Sequence, residues 1–214
     1  MKIKVPRKPA NTYQHGNLRE ALVQAGLKLL SEGGVEGLSL RAAAQLAGVS
    51  HAAPYRHFKD KDALVAAIAE QGFRLLVASM RAQLAALDPR QSDDTHERLV
   101  ALGKGYVGFA REHPGYFRVI FGGVLAKDRT TPGLKEAGEE AFGLLRGSVA
   151  DGLARGDMRG GDADTLSLAC WTMVHGISHL LINEAVAVPS GPPTEALTET
   201  LLRILHVGVR TPPG

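Results

Sequence analysis

The chain has 214 residues, of which 44% are hydrophobic and 22% charged, as in a soluble globular protein able to bury a sizeable core. Its net charge is +3, but residues 1–65 hold ten Lys and Arg against five Asp and Glu, whereas residues 66–214 hold fifteen against seventeen. The single cysteine excludes an intrachain disulfide and a cysteine-rich metal site, and no apolar signal-peptide run opens the sequence, so we expect a cytoplasmic protein.

The first ninety residues have the apolar spacing of α-helices. A glycine pair, Gly33 and Gly34, is expected to end the first helix, and Gly48 to end the second. Ser39 and Asp60 are expected to act as N-caps. The helices predicted in this part are residues 18–32, 40–47, 50–57 and 61–88.

The rest of the chain keeps the helical period, and no alternating strand pattern of useful length occurs. Polar or Gly- and Pro-rich connections separate the segments. The helices predicted here are about residues 96–112, 114–121, 133–155, 163–188 and 194–209. The expected fold is therefore all-α, with about nine helices. Its most apolar stretch, about residues 166–182, is shorter than a membrane span requires, so we expect no membrane partner.

Residues 38–58, with the sequence LSLRAAAQLAGVSHAAPYRHF, have the spacing of a helix-turn-helix. Ala43 or Ala44 allows the second helix to cross closely, Gly48 supplies the turn, and Val49 fills the angle between the helices. An ordinary pair of antiparallel helices would show the same spacing. The excess of basic residues in the first 65 positions favours DNA, although an acidic membrane surface would attract the same charge.

The following run, YRHFKDKDAL at residues 55–64, resembles the end of the recognition helix and the start of the fourth helix in the TetR/AcrR family of transcriptional regulators. The resemblance covers about residues 18–68. It implies a DNA-binding helix-turn-helix domain, which we place at residues 1–62, and a helical domain for effector binding and dimerisation at residues 63–214. Pro54 departs from the family, which usually has an aliphatic residue there. Because proline suits only the first turn of a helix, the recognition helix is expected to start at Ser50 or His51.

The predicted partner is double-stranded operator DNA. Arg41 and His51 lie where base edges are within reach, and the two alanines after His51 can approach thymine methyl groups. Tyr55 and His57 resemble the family's phosphate-contacting pair, and Lys61 adds its charge to the free N–H groups of a helix N-terminus. The predicted DNA-binding residues are Arg41, Ser50, His51, Ala52, Ala53, Tyr55, Arg56, His57 and Lys61. A basic arm, including Lys2 and Arg7, either enters the minor groove or forms a disordered tail.

The last two predicted helices carry more apolar surface than one chain can cover. The final helix has a stripe at Leu197, Leu201, Ile204, Leu205 and Val209. We therefore expect a homodimer formed through these two helices, as TetR-like proteins form it. A Trp-x-x-x-His-Gly pattern at residues 171–176 looks like the C-terminal domain of one TetR subgroup.

An effector pocket is expected where aromatic residues and methionine gather. The alternative for each of these residues is simple core packing. The candidate ligand-binding residues are Tyr106, Phe109, Tyr116, Phe117, Phe121, Trp171, Met173 and His175.

The main interpretation is a ligand-responsive repressor, neither an enzyme nor the holder of a cofactor, that a small molecule releases from its operator. One alternative is an architectural DNA-binding protein without an effector. Another is a metal-dependent enzyme using His175 and His179, with His113 as a third ligand. No carboxylate lies between the two histidines of the pair, so we expect hydrogen-bonded histidines and no metal site.

Overall fold

A computed structural model of the protein describes residues 18–125, 130–183 and 194–209. All the elements in these ranges are helical, as predicted. They are α1 (Leu18–Gly37), α2 (Leu40–Leu46), a 3-10 helix (Pro54–Arg56), α3 (Lys61–Ala85), α4 (Thr95–Glu112), α5 (Pro114–Phe121), α6 (Pro132–Arg155), α7 (Ala163–Ile182) and α8 (Thr194–Val209). The predicted basic arm lies outside the described residues. The contacts between Cα atoms divide the chain into two units, Met1–Leu64 and Val65–Gly214.

Local capping interactions explain most of the helix ends in the first unit. The Ser39 hydroxyl accepts a hydrogen bond from the backbone N–H of Ala42 at 3.1 Å, so it is the N-cap of α2. Gly48 has a φ of 71°, and its N–H donates to the Gln45 carbonyl while the next N–H, of Val49, donates to Ala44. This is a Schellman C-cap, which requires a left-handed residue at that position.

Three of the helices that form as predicted end elsewhere than expected, and one of them is α3, which ends at Ala85 and not near residue 88. The glycine pair bends α1 instead of ending it, because Gly34 takes a non-helical conformation (φ 63°, ψ −164°) and the helix continues to Gly37. Helix α7 ends at Ile182 and not near residue 188, since the backbone angles of Asn183 (φ −100°, ψ 5°) are no longer helical. Polar side chains cap the N-termini of three helices in the second unit, where Asp94, Thr131 and Asp162 precede α4, α6 and α7.

Helix α4 forms the centre of the second unit and packs against α5, α6, α7 and α8. Its Phe109 is fully buried, and Phe117 of α5 is 1% exposed. Gly105 allows α3 to approach closely, since a Cβ there would lie 2.6 Å from the Cα of Met80. By length and hydropathy alone, helices α3 and α7 could each span a membrane. In the most apolar 18-residue segment of each helix, 56% is buried inside the protein for α3 and 28% for α7.

Candidate DNA-reading surface and C-terminal cavity

The DNA-reading surface predicted in the first unit is mostly exposed. Ala53 and Lys61 are half-buried, and the other predicted DNA-binding residues are exposed: Arg41, Ser50, His51, Ala52, Tyr55, Arg56 and His57. Beneath this surface Pro54 is buried and Phe58 is 3% exposed. The guanidinium of Arg19 lies 5.7 Å from the centre of the Phe58 ring. A small apolar core therefore holds a segment whose polar side chains face water.

The segment after the turn is not the α-helix predicted for residues 50–57. The N–H of Ala53 donates to the Ser50 carbonyl at 3.0 Å, and only Pro54–Arg56 form a helix, of the 3-10 type. Pro54 has no N–H, so it cannot donate to the carbonyl four residues earlier, as an α-helix over this range would require. It does occupy the first turn of its helix, as predicted. The residues expected to read bases, Ser50 to Ala53, consequently lie on a turn.

The structure gives Lys61 a contact that the sequence did not suggest. Its ammonium group donates to the carbonyl of Val35 at 3.3 Å, near the C-terminal end of α1. Gln45 is a further exposed polar residue, one helical turn after Arg41 on α2. Its spacing from Arg41 was the available signal, and the sequence interpretation missed it.

The second unit contains a cavity of about 350 Å³. Helices α3, α4, α6 and α7 each contribute several lining residues. Helices α5 and α8 contribute one each, Phe121 and Leu202. The lining residues are Phe73, Leu76, Met80, Leu99, Leu102, Gly103, Tyr106, Phe121, Gly138, Ala141, Phe142, Leu145, Cys170, Trp171, Val174 and Leu202. This volume lies at the small end of the roughly 300–1,000 Å³ found for small-molecule sites.

A short hydrogen-bond chain lies at the wall of the cavity. The indole Nε1 of Trp171 donates to the hydroxyl of Tyr106 at 3.1 Å, and this hydroxyl lies 3.0 Å from Nδ1 of His175. Burial raises the pKa of Tyr106 well above its usual value, so the phenol stays protonated. Burial, and then the charge of His179, lower the pKa of His175. The three side chains that form these hydrogen bonds are therefore uncharged at neutral pH.

The candidate ligand-binding residues divide into three groups. Tyr106, Phe121 and Trp171 line the cavity. Phe109 and Phe117 are core residues, fully buried or nearly so, as is Tyr116 at 4% exposure. The cavity lining includes neither His175 nor Met173, although the His175 ring is 4.9 Å from that of Phe121. Their direct contact with a ligand remains a prediction. The wall formed by α3 and α6 was not predicted, since these helices show only apolar periodicity in the sequence.

Apolar side chains remain uncovered on the outer faces of α7 and α8. On α7 the exposed residues Leu168, Thr172, Gly176 and Leu180 follow each other at intervals of four, so they share one face. On α8 the exposed apolar residues are Ile204, at 60%, and Val207, at 72%. Of the predicted α8 stripe, Ile204 is exposed, Leu197 and Leu201 are half-buried, and the side chains of Leu205 and Val209 lie outside the described part.

The two histidines of the predicted i, i+4 pair have ring centres 6.4 Å apart. His113 packs instead against Phe109 and Tyr116. Within the described residues, no group of three His, Cys, Asp or Glu side chains is arranged to hold a metal ion. The described residues therefore offer no set of metal ligands that would support the alternative of a metal-dependent enzyme.

Comparisons with known proteins agree with this division of the chain. Residues 22–68 match the family model for bacterial regulatory proteins of the tetR family, and residues 99–205 match that for the tetracyclin repressor-like C-terminal domain. The chain is 48% identical over 52 residues to the class C tetracycline repressor protein of Escherichia coli, covering 24% of each chain. It is 28% identical over 145 residues to the HTH-type transcriptional regulator Rv1816 of Mycobacterium tuberculosis, covering 64% of this chain and 58% of that one.

The matched segments thus span less than two thirds of these curated relatives. A solved structure of a protein of unknown function from Rhodococcus sp. RHA1 is similar over nearly the whole chain, with a TM-score of 0.78 and 32% identity. That match covers 94% of this chain and all of the other. The two family models, one for each end of the chain, show that this protein belongs to the TetR family of DNA-binding transcriptional regulators.

Proposed function

We propose that the protein is a homodimeric, cytoplasmic repressor that a small molecule releases from its operator. Residues 1–62 bind the DNA, and residues 63–214 bind the effector and the second copy. The observation that carries this proposal is the presence of an exposed helix-turn-helix surface in one unit and of an apolar cavity in the other. The proposal includes no catalytic activity.

The exposed side chains of the first unit suit both kinds of DNA contact. Tyr55, which is 55% exposed, and Arg56 offer donors to phosphate oxygens, which all sequences present alike. His51 lies on the turn, and Arg41 on the first turn of α2, where base edges come within reach. The excess of basic residues in this part of the chain supports its attraction to DNA.

The outer faces of α7 and α8 support dimerisation. Exposed leucine, isoleucine and valine side chains lie on two helices that pack against each other, and a second copy would cover them. Gly176 has open space where a Cβ would point, so a partner helix can approach its backbone closely. Two helices from each chain would form a four-helix bundle, and a two-fold axis would relate the DNA-reading surfaces.

Release by an effector requires that the ligand bind more tightly to a conformation unsuited to the operator. Coupling free energies of this kind are typically about 1–3 kcal/mol, which corresponds to an affinity change of about 5- to 150-fold. A compound that binds in the cavity should therefore weaken operator binding by a factor in this range. The operator should reduce the affinity for that compound by the same factor.

The DNA assignment is tested by fluorescence anisotropy, with a duplex that the wild-type protein selects from a random pool and with a scrambled duplex. His51→Ala should lose about 1–3 kcal/mol of binding free energy, mainly on the selected duplex. Arg56→Gln should weaken both duplexes alike and reduce the salt slope by about one. Lys61 is a less suitable probe, because its ammonium group also binds the Val35 carbonyl.

The matched control is Lys28→Gln, which removes an exposed cation on α1 that pairs with Glu32. Lys28 lies away from the turn in sequence, so this variant should bind both duplexes nearly as the wild type does. If His51→Ala and Arg56→Gln also bind like the wild type in folded dimers, the DNA-reading surface is assigned wrongly.

A further inference from the structure

The cavity of the second unit has a wall without formal charge. Its described lining residues include no Asp, Glu, Lys, Arg or His. The aliphatic side chains of α3, α4 and α6 form most of the surface together with five aromatic rings, those of Phe73, Tyr106, Phe121, Phe142 and Trp171. Such a wall offers dispersion contacts and the removal of apolar surface from water, but no counter-ion.

The few polar atoms at the wall are neutral, and two of them are already paired. The Trp171 indole N–H is bound to the Tyr106 hydroxyl, which in turn contacts His175. A further titratable side chain at the wall is the thiol of Cys170, whose pKa burial raises to about 11. Neither a thiolate nor a phenolate is therefore present at neutral pH to balance a cationic ligand, and no cation is present to balance an anion.

Charged side chains that follow the lining residues closely in sequence bind each other. Lys104, next to the lining residue Gly103, donates to Glu199 of α8 at 2.7 Å. Arg203, next to the lining residue Leu202, contacts the same carboxylate at 2.7 Å. These side chains are about one third to one half exposed, so their charges are satisfied at the surface. An ionic ligand would have to break this pairing to use the charge of any of these three side chains.

An unpaired ion loses its hydration when it enters an apolar cavity, and an apolar wall returns little of that free energy. We propose that the effector of this regulator is a small, uncharged, mainly apolar molecule, and that the cavity rejects charged compounds of the same shape. This proposal rests on the sensing function proposed above and adds the chemical class of the ligand. The small volume of the cavity limits the ligand to the size of a medium alkyl chain or two linked aromatic ring systems.

The test uses N-phenyl-1-naphthylamine, a neutral apolar dye, with the full-length protein. Trp171 is the only tryptophan in the chain and lines the cavity, so energy transfer from it shows that the dye binds nearby, and the substitutions below localise the site. Three compounds with the same ten-carbon chain then compete with the dye: decanol, decyl sulfate and decyltrimethylammonium. We expect decanol to displace the dye, and each ion to require at least about 100-fold higher concentration.

Two substitutions in α6 localise the binding. Gly138 lines the cavity, and a Cβ there would meet only the Phe73 ring at 3.8 Å, an ordinary contact. Gly138→Leu should fill the cavity without a backbone clash and reduce dye affinity at least about tenfold, with Gly138→Ala in between. Gly147 lies nine residues later, about two and a half turns, so it is on the opposite face of α6. Nothing lies within 4 Å of a Cβ at Gly147, so Gly147→Leu is the matched control and should bind like the wild type.

The possible results separate the two proposals. If either ion competes as well as decanol, and its binding is lost in Gly138→Leu, the neutral-ligand proposal is overturned while the cavity remains a ligand site. If the dye binds equally to the wild type and to folded Gly138→Leu and Gly138→Ala variants, or shows no energy transfer from Trp171, both the ligand class and sensing through this cavity are overturned.

Discussion

Gly105 sets the distance between α3 and α4, two helices that both line the cavity, and its replacement by alanine is a sharp test of the structure. A Cβ at Gly105 would lie 2.6 Å from the Cα of Met80, 2.9 Å from its nitrogen and 2.9 Å from the carbonyl oxygen of Ser79. All three are backbone atoms, so no side-chain rotation relieves the clash. Since carbon atoms in contact lie about 3.5–4.0 Å apart, the helices would have to separate by about 1 Å.

The size of the effect follows from two opposing contributions. Overpacking a close contact destabilises a protein by about 1–3 kcal/mol, and a rigid backbone contact favours the upper part of that range. Alanine in place of glycine inside a helix returns about 0.5–1 kcal/mol. The separation would also strain the hydrogen bond from the Ser79 hydroxyl to the Gly105 carbonyl, which is 2.8 Å long. We therefore expect Gly105→Ala to lower the free energy of unfolding by about 2 kcal/mol.

Two other glycines provide matched controls for Gly105→Ala. Gly147→Ala places its Cβ in open space and should raise the free energy of unfolding by about 0.5–1 kcal/mol. Gly103→Ala should fall between the two, because its Cβ would meet only side-chain atoms of Leu202, the nearest at 2.4 Å. Leu202 lines the cavity, so its side chain has space to rotate into.

Urea unfolding followed by circular dichroism, at one fixed protein concentration, measures all three free energies. The reasoning fails if Gly105→Ala proves as stable as Gly147→Ala, since α3 and α4 would then not approach as closely as described.

Two further predictions concern assembly and pH. Ile204→Glu combined with Val207→Glu should give monomers in light scattering and weaken binding to the selected duplex, and a variant that stays dimeric would place the interface elsewhere. The pKa of His175 is lowered in the folded state, so unfolding takes up a proton just below pH 6.5 and stability should fall as pH decreases from about 6.5 towards that lowered pKa. His175→Gln should flatten this part of the stability curve in urea titrations at pH 5.5–7.5, and an unchanged slope would contradict the assignment.

The sequence predicts well those features that short-range interactions determine. Ser39 and Asp60 cap the helices that they were expected to cap, because an N-cap needs only a side-chain oxygen and N–H groups two or three residues away. Pro54 was also a local signal. Its missing N–H leaves a turn and a 3-10 helix, where the resemblance to the family implies an α-helix.

The cavity could be predicted only in part, because tertiary packing decides which side of a helix faces an empty space. Tyr106 and Phe109 lie three residues apart on α4 and have similar apolar character, yet Tyr106 lines the cavity while Phe109 is fully buried in the core. Phe73 and Leu145 belong to helices with only ordinary apolar periodicity in the sequence. Nothing in their spacing distinguishes a cavity wall from a packed core.

The same reasoning explains the apolar surface of α8. Its sequence has enough aliphatic residues for both a buried and an exposed face. Leu197 and Leu201 are half-buried, so they belong to neither face alone. Packing against α4 buries Leu202 at Gly103, where the absence of a side chain allows the approach. Ile204 and Val207 are therefore left facing outward.

The cavity and the proposed dimer surface are opposite faces of the same two helices. Helix α7 gives Trp171 and Val174 to the cavity and exposes Leu168 and Leu180 on its other side, and α8 gives Leu202 to the cavity. A ligand that shifts these helices from inside must also shift the surface that meets the second copy. Linkage between two binding equilibria is reciprocal. If the ligand changes the affinity of the two copies for each other by some factor, dimerisation changes the affinity for the ligand by the same factor. We therefore expect the monomeric Ile204→Glu, Val207→Glu variant to bind decanol with altered affinity while its cavity is intact, and equal affinity would show that assembly and sensing are independent.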